Sequence, residues 1–317
     1  MGGDAVSLTV VMPVYNALPY LDAAVASVLA QSHEDFRFAI YDDCSSDGSF
    51  ERASDWAKRD ARIMVTRGTE RLGPCASSSA AAALAQSEFV ARMDADDLSL
   101  PRRFEQQVAA LRQHPEAALV GSTFDMIDAR GRRIRGPTPG RIFGRAPPFA
   151  HSSIMYRRAP FEAAGGYQPQ TDYFEDLDLY LRLAERGQLL VINGPLISLR
   201  FAGQHARLRD DRADVLDKID RLYRDDPADP KVSDMAFYSV AVLSILGLER
   251  PHMFAEMLRR ASFAHPWRAA AILTMVGIAE ISPWLARTIS HANAALRERM
   301  AARQLAPGAV LEWTPGR

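Results

Sequence analysis

The apolar positions of the chain alternate between two periods from Ser7 to Asp94. The run Ser7–Val14 is typical of a strand that is buried on both faces of a mainly parallel sheet. From Tyr20 to Gln31 apolar residues recur at helical spacing, and Phe36–Tyr41 has strand character again. The alternation continues with a helix over 49–59, a strand over 63–66, a helix over 76–85 and a strand that ends at Asp94. Strands that alternate with helices predict an α/β fold around a mainly parallel, doubly wound, Rossmann-like sheet.

Beyond Asp97 the pattern is less regular. Ser99 is a candidate cap, and Pro101 a candidate first residue, of a helix whose apolar side chains share one face. Strands are predicted over 119–124 and 152–156, a helix after Tyr173, and two short edge strands over 189–192 and 196–201. The stretch 130–148 is rich in Gly, Pro and Arg, and it is predicted to be a loop.

Strand signals end near residue 210, and helical spacing dominates after it. We expect a helical appendage of about a hundred residues there and a loose tail over the last dozen residues of the chain. The most apolar stretch, 269–286, is short for a spanning helix and is interrupted by Pro283. A buried helix is the favoured interpretation. A helix lying on a membrane surface, with Arg268 and Arg287 at its flanks, is the alternative.

The composition excludes several classes of protein. With 38 basic and 39 acidic residues the net charge is -1, which gives no reason to expect a nucleic-acid partner. The two cysteines, Cys44 and Cys75, are too few for a disulfide framework or a cysteine-based zinc site. The N-terminal segment carries Asp4 and no basic region, unlike a secretory signal. We therefore expect a cytoplasmic protein, with peripheral contact at the inner face of the plasma membrane as the alternative.

Polar clusters follow three of the predicted strands, where each strand ends. They are Tyr15–Asn16, Asp42–Asp43 and Asp94–Asp97. Ligands of open parallel sheets bind at the carboxyl ends of the strands, so these clusters are candidates for one site. Asp94 and Asp96 can point the same way because side chains alternate along a strand, and two aligned carboxylates suit a hard divalent cation. A solvated acidic turn is the alternative. Asp97 is expected to lie at the entry of the helix that follows.

Four motifs occur in a fixed order: Met12–Asn16, Tyr41–Ser49, Met93–Asp97 and Phe174–Asp176. In their order and spacing they resemble the family 2 glycosyltransferases of GT-A fold, over residues 7–205. The resemblance implies a donor-binding half over 1–100, an acceptor-binding half over 101–208 and a C-terminal helical region over 209–317.

The first two motifs would bind the nucleotide of a nucleotide-sugar donor, as the resemblance implies. Pro13, Tyr15 and Asn16 are the implied contacts after the first strand, with the Tyr15 ring against the base. Asp43 is the implied acceptor of a hydrogen bond from the ring N–H of the base, while Asp42 holds the turn.

The later motifs would hold the metal and perform the reaction. The resemblance makes Asp96 the ligand of Mg2+ or Mn2+, which bridges the donor diphosphate, and Asp94 the contact to ribose or sugar hydroxyls. It makes Asp176 the catalytic base of an inverting transfer, and the alternative is an acidic helix start. It places His151 at the cleft as a donor contact, and a purely structural histidine is the alternative.

The chain also departs from the family pattern. Cys44 stands where Gly is common, and the following loop lacks an expected Arg, for which Arg71 is the candidate replacement. Arg200 is the implied phosphate donor of a closing segment in which Ala202 stands where His is usual. His205 is a candidate to replace that imidazole.

The predicted function is an inverting, metal-dependent glycosyltransferase. It would move a sugar from a UDP-linked donor to a hydroxyl of a glycan or lipid-linked acceptor in surface polysaccharide biosynthesis. One alternative is a catalytically inactive nucleotide-sugar-binding or membrane-docked scaffold protein. A second alternative, a nucleotidyltransferase, would carry a Gly-rich phosphate loop after its first strand, and Pro13–Asn16 is not such a loop.

Overall fold

The computed structural model describes residues 7–135, 149–169, 175–200 and 308–313. The helices are α1 Leu18–Leu29, α2 Ser49–Ala57, α3 Pro74–Ala83, α4 Arg103–Gln113, α5 Arg158–Ala163 and α6 Glu175–Ala184. The strands are β1 Leu8–Val14, β2 Arg37–Asp42, β3 Ile63–Arg67, β4 Phe89–Arg92, β5 Leu98–Ser99, β6 Ala117–Ile127, β7 Arg133–Arg135, β8 Met155–Arg157, β9 Gln188–Arg200 and β10 Val310–Trp313. A short 3-10 helix, His151–Ser153, precedes β8.

These strands form one sheet in the order β10-β9-β6-β8-β4-β1-β2-β3, with β5 on β9 and β7 on β6. The pairs β3-β2, β2-β1 and β1-β4 are parallel, and so is the pair β6-β9. Strand β8 runs antiparallel to both β4 and β6, and β10 runs antiparallel to β9. The pairs β5-β9 and β7-β6 are antiparallel as well. The predicted α/β class is therefore confirmed, with a mixed sheet whose longest parallel part runs from β3 to β4.

Strand β1 carries apolar side chains to both faces of the sheet. Val10 and Met12 pack in the core that α1 and α4 cover, and Val11 packs in the core that α3 and α6 cover. Alternating side chains on a strand point to opposite faces, so a strand covered on both sides needs apolar residues at nearly every position. This requirement explains the apolar run Ser7–Val14.

The prediction of two short edge strands near the end of this domain is wrong. One strand of 13 residues, β9, lies inside the sheet between β10 and β6. The register of β6 against β9 shifts on both sides of Thr123, whose partner is Pro195. A local irregularity of this kind lets a strand continue past a proline, which cannot donate a ladder hydrogen bond.

The loose tail predicted for the end of the chain is wrong at Val310–Trp313, which form β10 on the outer side of β9. The Trp313 ring packs edge-on against Phe149, with 5.8 Å between the ring centroids. Packing of this half-buried aromatic side chain stabilises a strand that the local sequence does not indicate.

Two local predictions after the acidic segment are also wrong. Ser99 does not cap a helix, because it lies in β5 and pairs with Ile197, and α4 begins at Arg103. Within the predicted loop 130–148, Arg133–Arg135 form β7, which pairs antiparallel with β6. In both places a strand partner decides the local conformation: β9, distant in the chain, for Ser99, and the preceding strand β6 for β7.

The chain divides into two compact units, Met1–Gly203 with Ala306–Arg317, and Gln204–Leu305. The second unit lies outside the described residues, and so do Ala202 and His205. The stretch 269–286, predicted to be a buried helix with a membrane-surface helix as the alternative, also lies outside them. No helix in the described ranges has the length and hydropathy of a membrane span.

Candidate active site

The carboxyl ends of β1, β2 and β4 meet at one edge of the sheet. Val14 at the end of β1 pairs with Asp42 at the end of β2, and Arg92 at the end of β4 pairs with Val11. Because these strands are parallel neighbours, the loops that follow them lie side by side. The structure thus brings together the three polar clusters that the sequence places at strand ends.

The segment Asp42–Gly48, here called the β2 loop, is held in shape by its own carboxylates and by Asn16. Asn16 has a φ of 47°, and its Oδ1 accepts the Ser46 N–H at 2.9 Å. Asp42 Oδ1 accepts the Ser45 N–H at 3.0 Å, as expected for a residue that holds the turn. Asp47 accepts the N–H groups of Leu18 and Ser49, each at 3.0 Å.

Asp43 anchors the loop that enters α3. Its side chain is buried, and its two carboxylate oxygens accept the Leu72 N–H at 2.7 Å and the Gly73 N–H at 3.0 Å. Each oxygen has a second lone pair, so a further hydrogen bond to a ligand is chemically available. The contact of Asp43 with a base stays a prediction.

Tyr15 and Arg71, both predicted donor contacts, lie against each other. The Arg71 guanidinium carbon is 4.3 Å from the centroid of the Tyr15 ring, a distance typical of a cation–π pair. Pro13 lies half-buried on β1, where it pairs with Tyr41. The structure therefore supports a shared location for these residues, and their contacts to a donor stay predictions.

The backbone conformation at Cys44, where the family pattern commonly has Gly, is one that favours glycine. Its φ is 58°, in the left-handed region that favours glycine. Its thiol donates to the Gly68 carbonyl at 3.2 Å, which fits the interpretation of a small filler.

The segment Asp94–Asp97, here called the acidic turn, holds three carboxylates in different environments. Arg92 lies against Asp94 Oδ1, with Nε at 2.9 Å and Nη2 at 2.8 Å. Burial acts to raise the pKa of Asp94, but the charge and the hydrogen bond of Arg92, together with the charge of Arg103, outweigh it, and the pKa lies below its ordinary value. Asp94 is therefore held ionised and oriented by one arginine.

Asp97 is not a first residue of a helix, as the sequence suggested, because β5 follows it directly. Its side chain is buried and accepts the Ser152 hydroxyl at 2.5 Å and the Arg200 N–H at 2.7 Å. Burial raises its pKa well above the ordinary value, and the nearby Asp96 and Asp94 carboxylates raise it further. Asp97 thus connects the acidic turn to the 3-10 helix and to the end of β9.

Arg200, the predicted phosphate contact, braces the same turn. Its Nε donates to the Asp96 carbonyl at 2.6 Å, and its Nη1 donates to the Asp128 carbonyl at 2.9 Å. The guanidinium also lies over the Tyr20 ring, 4.8 Å from its centroid. These contacts fix the acidic turn against the β6–β7 hairpin, and a role toward phosphate stays a prediction.

Asp176 lies in the first turn of α6 and is half-buried. Burial raises its pKa to about 6, although its Oδ1 accepts the Leu177 N–H at 2.7 Å. The negative charge of Asp94 contributes to this shift. A carboxylate with a pKa near neutrality has the proton affinity that general-base catalysis requires.

His151 Nε2 lies 2.7 Å from the Tyr167 hydroxyl, and the two rings pack edge-on. Burial, and then the positive charge of Arg92, lower the pKa of His151 to about 3. The imidazole is therefore neutral near pH 7. These contacts fit the structural alternative, and a donor contact stays a prediction.

Sequence reasoning missed two buried arginines behind the acidic turn, Arg92 and Arg103. Arg103 Nη2 donates to the carbonyls of Arg92 at 2.7 Å and Ile154 at 3.1 Å, and burial lowers its pKa to about 9. An arginine inside the apolar run Phe89–Met93 is a usable signal, because arginine is rarely buried without a partner.

The acidic turn fits a divalent cation that shares its coordination with phosphate. No cluster of three or more His, Cys, Asp or Glu side chains suited to a metal occurs in the described part of the chain. Mg2+ ordinarily takes one or two carboxylates together with phosphate oxygens and water, so it does not need such a cluster. Asp94 is paired with Arg92 and Asp97 is buried, which favours half-buried Asp96 as the ligand.

Comparison with known sequences identifies the family. The family model described as Glycosyl transferase family 2 matches residues 9–165. The putative glycosyltransferase EpsE of Bacillus subtilis is 35% identical over 188 residues, which is 57% of this chain and 67% of that protein. The amylovoran biosynthesis glycosyltransferase AmsE of Erwinia amylovora is 38% identical over 104 residues, 31% of this chain and 39% of that protein. The putative teichuronic acid biosynthesis glycosyltransferase TuaG of Bacillus subtilis is 37% identical over 101 residues, 32% of this chain and 40% of that protein.

Solved structures with the GT-A fold resemble the chain over most of its length. The crystal structure of S. aureus TarS 1-349 in complex with UDP has a TM-score of 0.56 at 16% identity, covering 98% of this chain and 97% of that one. The mannosyltransferase PcManGT from Pyrobaculum calidifontis in complex with GDP-Man and Mn2+ has a TM-score of 0.55 at 20% identity, covering 93% of this chain and 87% of that one. These likenesses establish the GT-A fold, and with the sequence matches they show that the chain belongs to glycosyltransferase family 2.

Proposed function

We propose that the chain is an inverting, metal-dependent transferase that moves a sugar from a UDP-linked donor to a hydroxyl group of a glycan or lipid-linked acceptor in surface polysaccharide biosynthesis. The observation that carries this proposal is Asp176, a half-buried carboxylate in the first turn of α6 whose pKa is raised to about 6. The biosynthetic setting is supported by the names of AmsE and TuaG.

The donor nucleotide would bind at the ends of β1 and β2. Tyr15 offers an aromatic face to the base, Asp43 offers a second lone pair on each carboxylate oxygen, and Arg71 offers a cation beside them. Pro13 and Asn16 would shape the pocket, since Asn16 fixes the β2 loop. A uridine nucleotide is favoured because TarS was solved with UDP and with UDP-GlcNAc, and a guanosine nucleotide is the alternative that PcManGT supplies.

The donor diphosphate would lie over the acidic turn. Asp96 would hold Mg2+ or Mn2+, as the Mn2+ in PcManGT suggests. When bound, the ion supplies positive charge that makes the nucleoside diphosphate a better leaving group. Asp94 would accept a hydrogen bond from a ribose or sugar hydroxyl.

Asp176 would act as the base of the transfer. The acceptor hydroxyl would give its proton to a carboxylate oxygen of Asp176 while its oxygen attacks the anomeric carbon from the face opposite the diphosphate. One displacement of this kind inverts the anomeric configuration, and no covalent intermediate on the protein is needed. Near pH 7 a carboxyl with a pKa of about 6 is mostly ionised and ready to accept the proton.

A donor screen tests this proposal. The protein would be incubated with UDP- and GDP-sugars and with glycan or lipid-linked acceptors, in Mn2+ or in a chelator, while release of nucleoside diphosphate is measured. We expect release with one donor class, in Mn2+ only, and a product with inverted configuration by NMR. Equal release in the chelator would contradict metal dependence. Binding of donors without any turnover would favour the inactive binding protein instead.

A further inference from the structure

A continuous set of contacts connects Asp43, the proposed contact of the donor base, to Asp94, the proposed contact of the donor sugar. These two residues mark the base end and the sugar end of the donor site. At the sugar end, Arg92 lies against Asp94 Oδ1 through Nε and Nη2. The Nη1 of the same guanidinium donates to the Ser78 hydroxyl at 2.9 Å. The Arg92 side chain is only 8% exposed and that of Asp94 is 30% exposed. The guanidinium therefore lies inside the protein, and the carboxylate reaches the surface.

The contacts continue through α3 to the base end. The Ser78 hydroxyl donates to the Pro74 carbonyl at 2.7 Å, so it accepts from Arg92 and donates to the first turn of its own helix. The two residues before Pro74, Leu72 and Gly73, give their N–H groups to Asp43. One path of hydrogen bonds and adjoining backbone thus joins the Asp43 carboxylate to the Asp94 carboxylate.

The backbone at the sugar end is fixed independently of Asp94. The Arg92 N–H donates to the Ile154 carbonyl at 3.0 Å, and the Arg92 carbonyl accepts from Arg103. We therefore expect strand β4 to stay in place when the Arg92 side chain is replaced, while the Asp94 side chain loses its partner. The guanidinium acts on the orientation of one carboxylate.

We propose that Arg92 and Ser78 are positioning residues for the donor. They hold Asp94, as the contact of a hydroxyl on the transferred sugar and not on the ribose, at a set distance from Asp43, so that the sugar and the base of one nucleotide-sugar bind together. This inference rests on the proposed function. A buried charged hydrogen bond of this kind has a large effect because its geometry is rigid and it is shielded from water. Its loss should weaken binding of the sugar end and leave the base end intact.

The test compares the affinities for UDP-GlcNAc and for UDP, or for GDP-Man and GDP if the screen selects guanosine donors, by calorimetry in Mn2+. In Arg92→Met we expect the affinity for the nucleotide-sugar to fall about tenfold or more, with the affinity for the nucleoside diphosphate within about threefold of wild type. Arg92→Lys keeps the charge and should recover part of the loss. Ser78→Ala keeps the ion pair, removes the second anchor and should lose about two- to fivefold.

A double-mutant cycle separates positioning from general damage. If Arg92 acts through Asp94, then Arg92→Met added to Asp94→Asn should weaken nucleotide-sugar binding by less than about twofold beyond Asp94→Asn alone. Additive losses would overturn the inference. So would equal losses for nucleotide-sugar and nucleoside diphosphate, or wild-type affinities in both Arg92→Lys and Ser78→Ala.

Arg157→Met is the matched control. Arg157 pairs with Glu88 and donates to the Ala117 and Leu111 carbonyls, and it lies opposite Phe89 at the amino end of β4. We expect a lower melting temperature and an unchanged ratio of the two affinities. A wild-type protein that binds no nucleotide-sugar would overturn the proposed function and this inference together. A wild-type protein that binds, with variants that change nothing, would overturn the inference alone.

Discussion

The β2 loop and the acidic turn are both rich in aspartate and follow neighbouring parallel strands, yet their carboxylates have different surroundings. In the β2 loop each aspartate accepts backbone N–H groups: Asp42 from Ser45, Asp43 from Leu72 and Gly73, and Asp47 from Leu18 and Ser49. In the acidic turn Asp94 is paired with an arginine side chain. Asp97 instead shares its surroundings with two other carboxylates, which help to raise its pKa.

The aspartates of the β2 loop fix the conformation of that loop, whereas the acidic turn places several carboxylates close together. Backbone N–H groups offset negative charge locally and fix the conformation of a loop. Carboxylates that lie near each other repel, and a divalent cation reduces that repulsion. The same residue type therefore serves as structure after β2 and as a candidate cation site after β4.

The largest effect should come from Asp96→Asn compared with Asp47→Asn. Loss of the proposed metal ligand should lower turnover about a hundredfold or more, because the ion supplies several kcal/mol to the leaving group. Asp47→Asn removes charge from the β2 loop, where we expect a loss of about 1 kcal/mol in the free energy of unfolding and turnover near wild type. Nucleoside diphosphate release and urea denaturation measure the two. Similar turnover for both variants would contradict the assignment of Asp96, and not Asp47, to the metal site.

The pH dependence of kcat/KM should report the free Asp176 carboxyl. Its pKa is raised to about 6, so the carboxyl is protonated below that pH and cannot accept a proton. We expect kcat/KM to fall about tenfold per pH unit on the acid side of this value. A rate that stays level down to pH 4, measured at saturating metal with the fold intact, would be incompatible with this base.

The raised pKa of Asp176 also affects the stability of the fold. A carboxyl whose pKa is raised in the folded state makes the fold less stable once it ionises, and the penalty grows as the pH rises from 3.8 to about 6. Asp176→Asn should therefore melt at a higher temperature than wild type at pH 8, and the difference should shrink below pH 4. A lower melting temperature for the variant at pH 8 would show that the carboxylate stabilises the fold.

Replacement of Asp97 should lower the free energy of unfolding more than replacement of its neighbours in the acidic turn. Asp97→Ala leaves the Ser152 hydroxyl and the Arg200 N–H without their acceptor, and we expect a loss of about 2 to 3 kcal/mol in the free energy of unfolding. Asp97→Asn keeps one acceptor oxygen and serves as the control, with a smaller loss. Equal losses in urea denaturation would mean that the hydrogen bonds are not the cause.

The smallest effect should be at Cys44 in the β2 loop. Its left-handed φ of 58° is unfavourable for an L-residue, and glycine removes this strain while it gains entropy in the unfolded chain. We expect Cys44→Gly to change the free energy of unfolding by about 1 kcal/mol or less, in the stabilising direction. Cys44→Val, which is branched at Cβ, should destabilise the fold in the same measurement.

Much of this arrangement follows from the sequence, because its cause is local. The apolar run Ser7–Val14 predicts a strand buried on both faces, and the polar residues after it predict a site at the sheet edge. Contacts between distant residues are not visible in a single sequence. Asp97 is bonded to Arg200 across 103 positions, and Val310–Trp313 form a strand only because β9 is available as a partner. Both were predicted wrongly from their neighbours alone.

The central claim is that Asp176 takes the acceptor proton in a metal-dependent transfer, and Asp176→Asn tests it most directly. Donor affinity by calorimetry and turnover by nucleoside diphosphate release would be measured on the same preparations in Mn2+. We predict donor affinity within about threefold of wild type and turnover lower by about a thousandfold. Full turnover in Asp176→Asn would contradict the claim.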